Sequence, residues 1–250
     1  MDNRTAEYDS EAFYYEESRF SNELGRHLNY MHKRIVEKLL GSSGGLILDA
    51  GTGTGRFATW LAKKGFNVIG VDLSHEMLKI AKRKKKSLNA NIDLVLADLH
   101  SLPFRYEVFD GCVSINVVDH LRDVSKFLKE LRLVLKPGGF FIFNFSNILS
   151  PYLPIALLVN LKGKALLKGG KISSRWFTLK QISALLSKSG FIIRDVNGCM
   201  IASPLPLGNK LIKVIQAINI FVESSKLKFF SGSEFIKVRR VKIGLSKRVK

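Results

Sequence analysis

Asp49 and Asp72 close two apolar runs on either side of a turn with glycines at positions 51, 53 and 55, and that spacing suits a flat, nucleoside-bearing ligand. Residues 46–55 read Leu-Ile-Leu-Asp-Ala-Gly-Thr-Gly-Thr-Gly, an apolar strand running into the turn. Glycine has no Cβ to hold a ligand off the backbone and adopts positive φ readily. Residues 57–64 then carry apolar side chains at helical spacing, Gly65 supplies a stop, and residues 66–72 read as a second buried strand ending in Asp72. An acid 21 residues after Gly51, at the carboxyl end of a second strand, can accept both hydroxyls of a ribose. A dinucleotide fingerprint needs a glycine or alanine at its sixth position to let the pyrophosphate reach the helix. Arg56 stands there instead. Asp49, two residues before Gly51, would repel a pyrophosphate but suits a ligand with an ammonium group.

These residues resemble the class I S-adenosylmethionine-dependent methyltransferases, in particular the small-molecule group. Leu-Asp-x-Gly-x-Gly-x-Gly is that family's first motif, and an acid ends its second strand. Residues 97–104 (Ala-Asp-Leu, then Leu-Pro-Phe) are similar to the segment after its third strand. Residues 109–121 resemble the fourth strand and its exit, residues 133–143 the turn into the fifth, and residues 176–193 the later helix and sixth strand. The resemblance spans about residues 40–198.

It implies an α/β fold: a Rossmann-like, doubly wound sheet of seven strands, mostly parallel with one antiparallel strand, for which residues 235–242 are the candidate. It also implies S-adenosyl-L-methionine as cofactor and S-adenosyl-L-homocysteine as product. By role, Gly51, Gly53 and Gly55 would approach the methionine portion and ribose, and Asp49 would help hold the amino group. Asp72 would take the ribose hydroxyls and Leu73 would pack on adenine. Asp98 and Leu99 would read and stack the base, and the Asn116 carbonyl would meet the ammonium group. The acidic lead-in holds Tyr8, Tyr14 and Tyr15, and Tyr14 is the candidate to close over the cofactor's carboxylate end. Arg19 could pair with that carboxylate or with Glu16 and Glu17. His120, just beyond Asn116, is the candidate general base, since a neutral imidazole takes a proton near pH 7. Capping of the next helix is its alternative use.

The elements that must place these groups follow from periodicity. Residues 8–40 read as a helical lead-in ending at a glycine–serine stretch over 41–45, and from 46 to 146 strands alternate with helices. That alternation implies a parallel sheet covered on both faces. One domain over 1–250 is expected, with a lead-in (1–40), a cofactor-binding core (41–147) and helical roof inserts at 148–175 and 199–233. The apolar stripes in those inserts suit either a lid packed on the sheet or a pocket for an apolar acceptor. The chain lacks an 18-residue apolar run and an apolar signal core, so a cytoplasmic protein is expected. Cys112 and Cys199 have neither metal nor redox spacing.

Charge is uneven. Residues 1–20 carry net −4, whereas residues 161–250 hold nineteen basic and three acidic side chains, net +16 of the chain's +19. Such a field favours an anionic acceptor, an anionic surface or nucleic acid, or forms a solvated lysine-rich surface. The basic run over 82–86 suits the C-terminal end of a helix. The expected function is methyl transfer to a small-molecule acceptor. RNA methylation and a non-catalytic cofactor-binding module are the alternatives, and the sequence leaves the oligomeric state open.

Overall fold

The computed structural model of the chain describes residues 3–41, 44–150, 175–199 and 231–241. The lead-in is helical but broken twice, into α1 (Asn3–Glu11), a 3-10 turn (Ala12–Tyr14), α2 (Tyr15–Phe20) and α3 (Glu23–Leu40). Asn22 starts α3 by accepting the Gly25 N–H at 2.7 Å, a side-chain cap that removes one of the orphan donors of a helix start. Any side chain at position 25 would collide with the Arg19 carbonyl, so Gly25 is what lets α2 cross the first turn of α3.

The core alternates as the periodicity predicts: β1 (Leu46–Ala50), α4 (Arg56–Lys63), β2 (Asn67–Asp72), α5 (His75–Leu88), β3 (Ile92–Leu96), β4 (Phe109–Ser114), α6 (Val124–Val134) and β5 (Leu135–Asn147). A two-residue β6 (Trp176–Phe177), α7 (Leu179–Lys188), β7 (Phe191–Cys199) and β8 (Ser233–Arg240) complete the described elements. Thr178 and Gln181 form a reciprocal capping box at the start of α7.

The strand order is β3-β2-β1-β4-β5-β8-β7, with β6 paired to β5. Strands β1 to β6 pair in parallel, while β8 runs antiparallel to both neighbours, β5 and β7. The sheet is therefore the Rossmann-like, mostly parallel one expected, and its antiparallel strand starts two residues before the predicted segment. One face packs on α6 and α7 through Phe127, Leu131, Ile182 and Leu186; the other packs on α3 and α4 through Ile35, Leu39, Phe57 and Leu61. These side chains are almost fully withdrawn from water, which stabilises the layers by about 1.5–3 kcal/mol for each large one. The order reverses between β1 and β4, so the loops leaving those two strands diverge and leave a crevice at the carboxyl edge. Most of the two expected roof inserts, residues 151–174 and 200–230, lies outside the described residues. Among the described residues no helix is long and apolar enough to cross a membrane.

Candidate functional site

The crevice is a cleft of about 1110 Å³, open mouth included, bounded by the turns after β1, β2, β3 and β4. The turn after β1 is fixed from below: the N–H groups of Gly51 and Thr52 both donate to the Val71 carbonyl, at 2.8 and 2.9 Å. Gly51 (φ +75°) and Gly53 (φ +53°) are in the left-handed region. A Cβ on Gly51 would lie 2.5 Å from Val117 Cγ2, so the bare glycine lets the β1 and β4 exits touch. A Cβ on Gly53 would meet no atom of the described residues within 4 Å, because that residue borders the open cleft.

Asp72 ends β2 with its carboxylate clamped, Oδ2 accepting the Gly53 N–H at 2.7 Å and Oδ1 the Ser74 N–H at 2.9 Å. Each oxygen keeps a second lone pair for a ligand hydroxyl. Burial raises the Asp72 pKa, and these N–H donors oppose the rise. Asp49, buried under the turn, accepts the Thr52 hydroxyl at 2.7 Å. Burial pushes it up to about 6 against the Thr52 bond and the Arg56 charge. Leu73 is 42% exposed and lines the cleft beside Asp72, an apolar patch available to a flat ring.

The turn after β3 brings in Asp98. Its Oδ1 accepts the His100 N–H at 2.9 Å and faces His100 Nδ1 at 2.7 Å, while His100 Nε2 accepts the Asp123 N–H at 3.3 Å. Because Nε2 accepts, the ring proton sits on Nδ1 and donates to Asp98. Burial raises the Asp98 pKa, but the two His100 bonds and the Arg122 charge outweigh it and hold the carboxyl below the usual aspartate value. Leu99 borders the cleft while lying mostly in the core at 7% exposure.

Beyond β4 the chain turns at Asn116, a left-handed residue (φ +63°) facing the cleft, and then makes a 3-10 turn over Val118–His120. His120 lines the cleft and meets the edge of the Tyr8 ring at 6.1 Å between centroids. It does not cap α6; Asp123 does, accepting the Lys126 N–H at 2.9 Å. Neighbouring Asp119 is buried and structural, accepting the Ser146 N–H at 3.0 Å and its hydroxyl at 2.6 Å.

The lead-in helices cover the cleft. Tyr8 from α1 and Tyr15 from α2 stand in its wall. Burial above all, then Tyr15, raises the Tyr8 pKa far above that of a free phenol, so its O–H remains a donor. Asp9 accepts from the Ser74 hydroxyl and, at 3.3 Å, from the Glu76 N–H, which docks α1 on the start of α5. Glu16 accepts from Thr54 and pairs with Lys84, so part of the basic run over 82–86 braces the lead-in. Arg19 faces Glu11 at 3.5 Å and lies over the Tyr15 ring, rather than pairing with Glu16 or Glu17.

Nine of the eleven residues named from the sequence thus meet in one cleft: Asp49, Gly51, Gly53, Asp72, Leu73, Asp98, Leu99, Asn116 and His120. Two do not. Tyr14 is 62% exposed and packs edge-on to Phe13, because the 3-10 turn after α1 shifts the helical phase and rotates it away. Gly55 is the N-cap of α4, and its missing Cβ makes room for Ala81 of α5, so it serves helix packing. The sequence reading passed over Thr5, His100 and Arg122 as wall residues, and Arg56 as well. Arg56 donates to Asn29 at 2.8 Å and lies between the Phe20 and Phe57 rings.

The family described as Methyltransferase domain matches residues 48–143. Over those residues the chain is similar to a methyltransferase domain. Methyltransferase GfsG of Streptomyces halstedii is 35% identical over 112 residues, 44% of this chain and 40% of that protein. An uncharacterized protein of Methanocaldococcus jannaschii is 29% identical over 206 residues, 72% of this chain and 74% of that one. The chain therefore spans less than half of the first relative. A solved SAM-dependent methyltransferase of Thermotoga maritima shares the fold at a TM-score of 0.70 and 21% identity, covering 94% of this chain and 98% of its own. The matched segment supplies every cleft residue from Asp49 to Arg122, while Thr5, Tyr8 and Tyr15 come from the lead-in before it.

Proposed function

We propose that the chain binds S-adenosyl-L-methionine in this cleft and transfers its methyl group to a small-molecule acceptor, releasing S-adenosyl-L-homocysteine. The observation that carries the reading is the clamped Asp72 carboxylate beside the open turn at Gly53, where lone pairs for two hydroxyls face a stretch of bare backbone. The residues fit the group: Asp49, Asp72 and Asp98 surround a space that suits a cationic ligand, and Leu73 gives it an apolar platform. When bound, the cofactor supplies a methyl group activated by its sulfonium. Asp72 would hold the ribose, Leu73 and Leu99 the ring, and Asp98 the exocyclic amine of the base. Asp49 and Asn116 would receive the ammonium end.

The chain's remaining task is to align the two partners and exclude water. Tyr8 and Tyr15 close the cleft from above. His120 would take the acceptor's proton on its imidazole, with the Tyr8 ring fixing the plane of that imidazole by an edge contact. The basic surplus of the C-terminal third supports an anionic acceptor or an anionic surface as partner. Calorimetry with S-adenosyl-L-methionine and S-adenosyl-L-homocysteine tests the reading. Binding of both is expected, and the absence of heat with either on folded protein overturns it.

A further inference from the structure

We propose that Asn144, a β5 residue outside the cleft wall, is the positioning residue that sets Asn116 and with it the methionine end of the cofactor site. The inference rests on the reading of the cleft given above but names a group that does not touch the ligand. β4 leaves the sheet at Ser114, whose ladder partner on β5 is Phe143. Two residues later the backbone of Asn116 lies beyond the last ladder pair of β4 among the described residues. The Asn144 carboxamide replaces the missing peptide: its Oδ1 accepts the Asn116 N–H at 2.7 Å, and its Nδ2 donates to Asn116 Oδ1 at 2.9 Å. The second Nδ2 hydrogen goes to Ser233 Oγ on β8 at 2.8 Å. Within a carboxamide only the oxygen can accept a backbone N–H, so these partners fix which end of the amide is which.

The pairing also explains two oddities. Asn116 holds a left-handed φ of +63°, a conformation that asparagine tolerates better than most side chains but that still needs external support. Asn144 is 3% exposed within the run Phe-Phe-Ile-Phe-Asn-Phe over 140–145, where an apolar residue would continue the core on the side of α3. A buried carboxamide is costly unless its groups are paired, and here the three contacts use its oxygen and both N–H groups. Ile115, Asn116 and Val117 all border the cleft, and Val117 packs over Gly51, so a shift at Asn116 moves both the β4 and β1 exits. Coupling runs from β8 through Asn144 to the site across two strand boundaries.

The test compares Asn144→Leu with Asn144→Asp. Leucine keeps the volume and removes all three bonds. Aspartate keeps an acceptor for the Asn116 N–H, and a rotation of the Asn116 amide restores the second bond. Asn144→Leu should weaken S-adenosyl-L-homocysteine binding by about tenfold or more, as expected for losing a pair of buried hydrogen bonds, whereas Asn144→Asp should stay within about threefold of wild type. A readout independent of the ligand accompanies it: amide exchange of Asn116 in the free protein should quicken at least about tenfold in Asn144→Leu and not in Asn144→Asp, while amides of β1 and β2 keep their protection. Equal cofactor affinity in wild type and Asn144→Leu overturns the proposal, as does equal loss in both variants or unchanged exchange at Asn116. If wild type binds neither cofactor nor product, the functional reading fails and the exchange data alone decide the role of Asn144. If Asn144→Leu does not fold, Asn144→Asp and Ser233→Ala carry the comparison: Ser233→Ala removes the outer anchor only and should shift Asn116 exchange without removing its partner, and no shift overturns the coupling to β8.

Discussion

Alanine at Gly51 and at Gly53 should separate folding from ligand binding, because the two glycines share a left-handed backbone and differ in what surrounds them. At Gly51 the added methyl would lie 2.5 and 2.8 Å from the two Val117 methyls, in a residue held at φ +75°. The left-handed conformation costs an L-residue about 1–2 kcal/mol, and an overpacked contact adds about 1–3 kcal/mol. The sum, about 2–5 kcal/mol, corresponds to a fall of roughly 4–20 °C in Tm for a chain of this size. At Gly53 (φ +53°) the methyl meets no atom of the described residues, so only the backbone cost of about 1–2 kcal/mol applies and Tm should fall by about 2–8 °C. On the proposed placement that methyl would intrude on the space the ligand takes against bare backbone, so affinity for S-adenosyl-L-homocysteine should drop by about 10- to 100-fold. Thermal unfolding and calorimetry on the same preparations measure both. Gly51→Ala melting with wild type, or Gly53→Ala binding with undiminished affinity, would refute the assignment of these turns.

Further expectations follow from the carboxylates and the imidazole. Asp72→Ala should weaken cofactor binding by about 100-fold or more, since charge-assisted bonds to hydroxyls are worth about 1.5–3 kcal/mol each; calorimetry checks this, and a loss below about fivefold contradicts the ribose role. His120→Ala should lower turnover by about 10²- to 10⁴-fold while leaving product affinity unchanged, and unaltered turnover on the true acceptor removes it as base. Glu234 is 1% exposed, and burial pushes it up to about 7 from an ordinary 4.5. An acid with a raised folded pKa costs stability as pH climbs from the unfolded value to the folded one. Wild type should therefore lose on the order of 3 kcal/mol between about pH 4.5 and pH 7 that Glu234→Gln does not lose. Parallel pH–stability curves for the two proteins would show that the carboxyl is not the cause.

How much of this site could be read from the chain alone depends on how far its bonds reach along the sequence. The strand, turn, helix and strand from Leu46 to Asp72 lie in 27 consecutive residues, and their periodicity and glycine spacing dictate the clamp on Asp72. Asp98 and Asn116 follow from the rule that functional groups gather at the carboxyl ends of parallel strands. Tyr14 could not be told from Tyr8 and Tyr15, because the phase of a helix is lost wherever a 3-10 turn interrupts it, and no glycine or proline marks the interruption after Glu11. Gly55 reads in the sequence as part of the ligand cradle, and only its close approach to Ala81, a residue on the next helix, reveals that its missing Cβ also serves helix packing. Asp119 finds Ser146 on β5, 27 residues away, and Asn144 finds Asn116 in the turn after β4, 28 residues away, distances over which spacing carries no signal.

Global and local charge also part company, and the reason bears on what the cleft selects. A net charge of +19 would suggest a site for anions, yet among the described residues the cleft wall holds three aspartates against two arginines. Those arginines are engaged: Arg56 with Asn29 and two rings, Arg122 beside Asp98 at 3.9 Å. The acidic lead-in adds to the contrast, placing Asp9 against the N-terminus of α5, where a carboxylate is favoured by the helix dipole, and Glu16 against Lys84. Charges separated by more than about 8–10 Å are screened at ordinary ionic strength, so a ligand inside the cleft responds most to the aspartates beside it. The sign of the whole chain therefore speaks to what approaches it. The carboxyl edge of β1 to β3, lined by Asp49, Asp72 and Asp98, favours a bound ligand that is cationic at one end and rich in hydroxyls at the other.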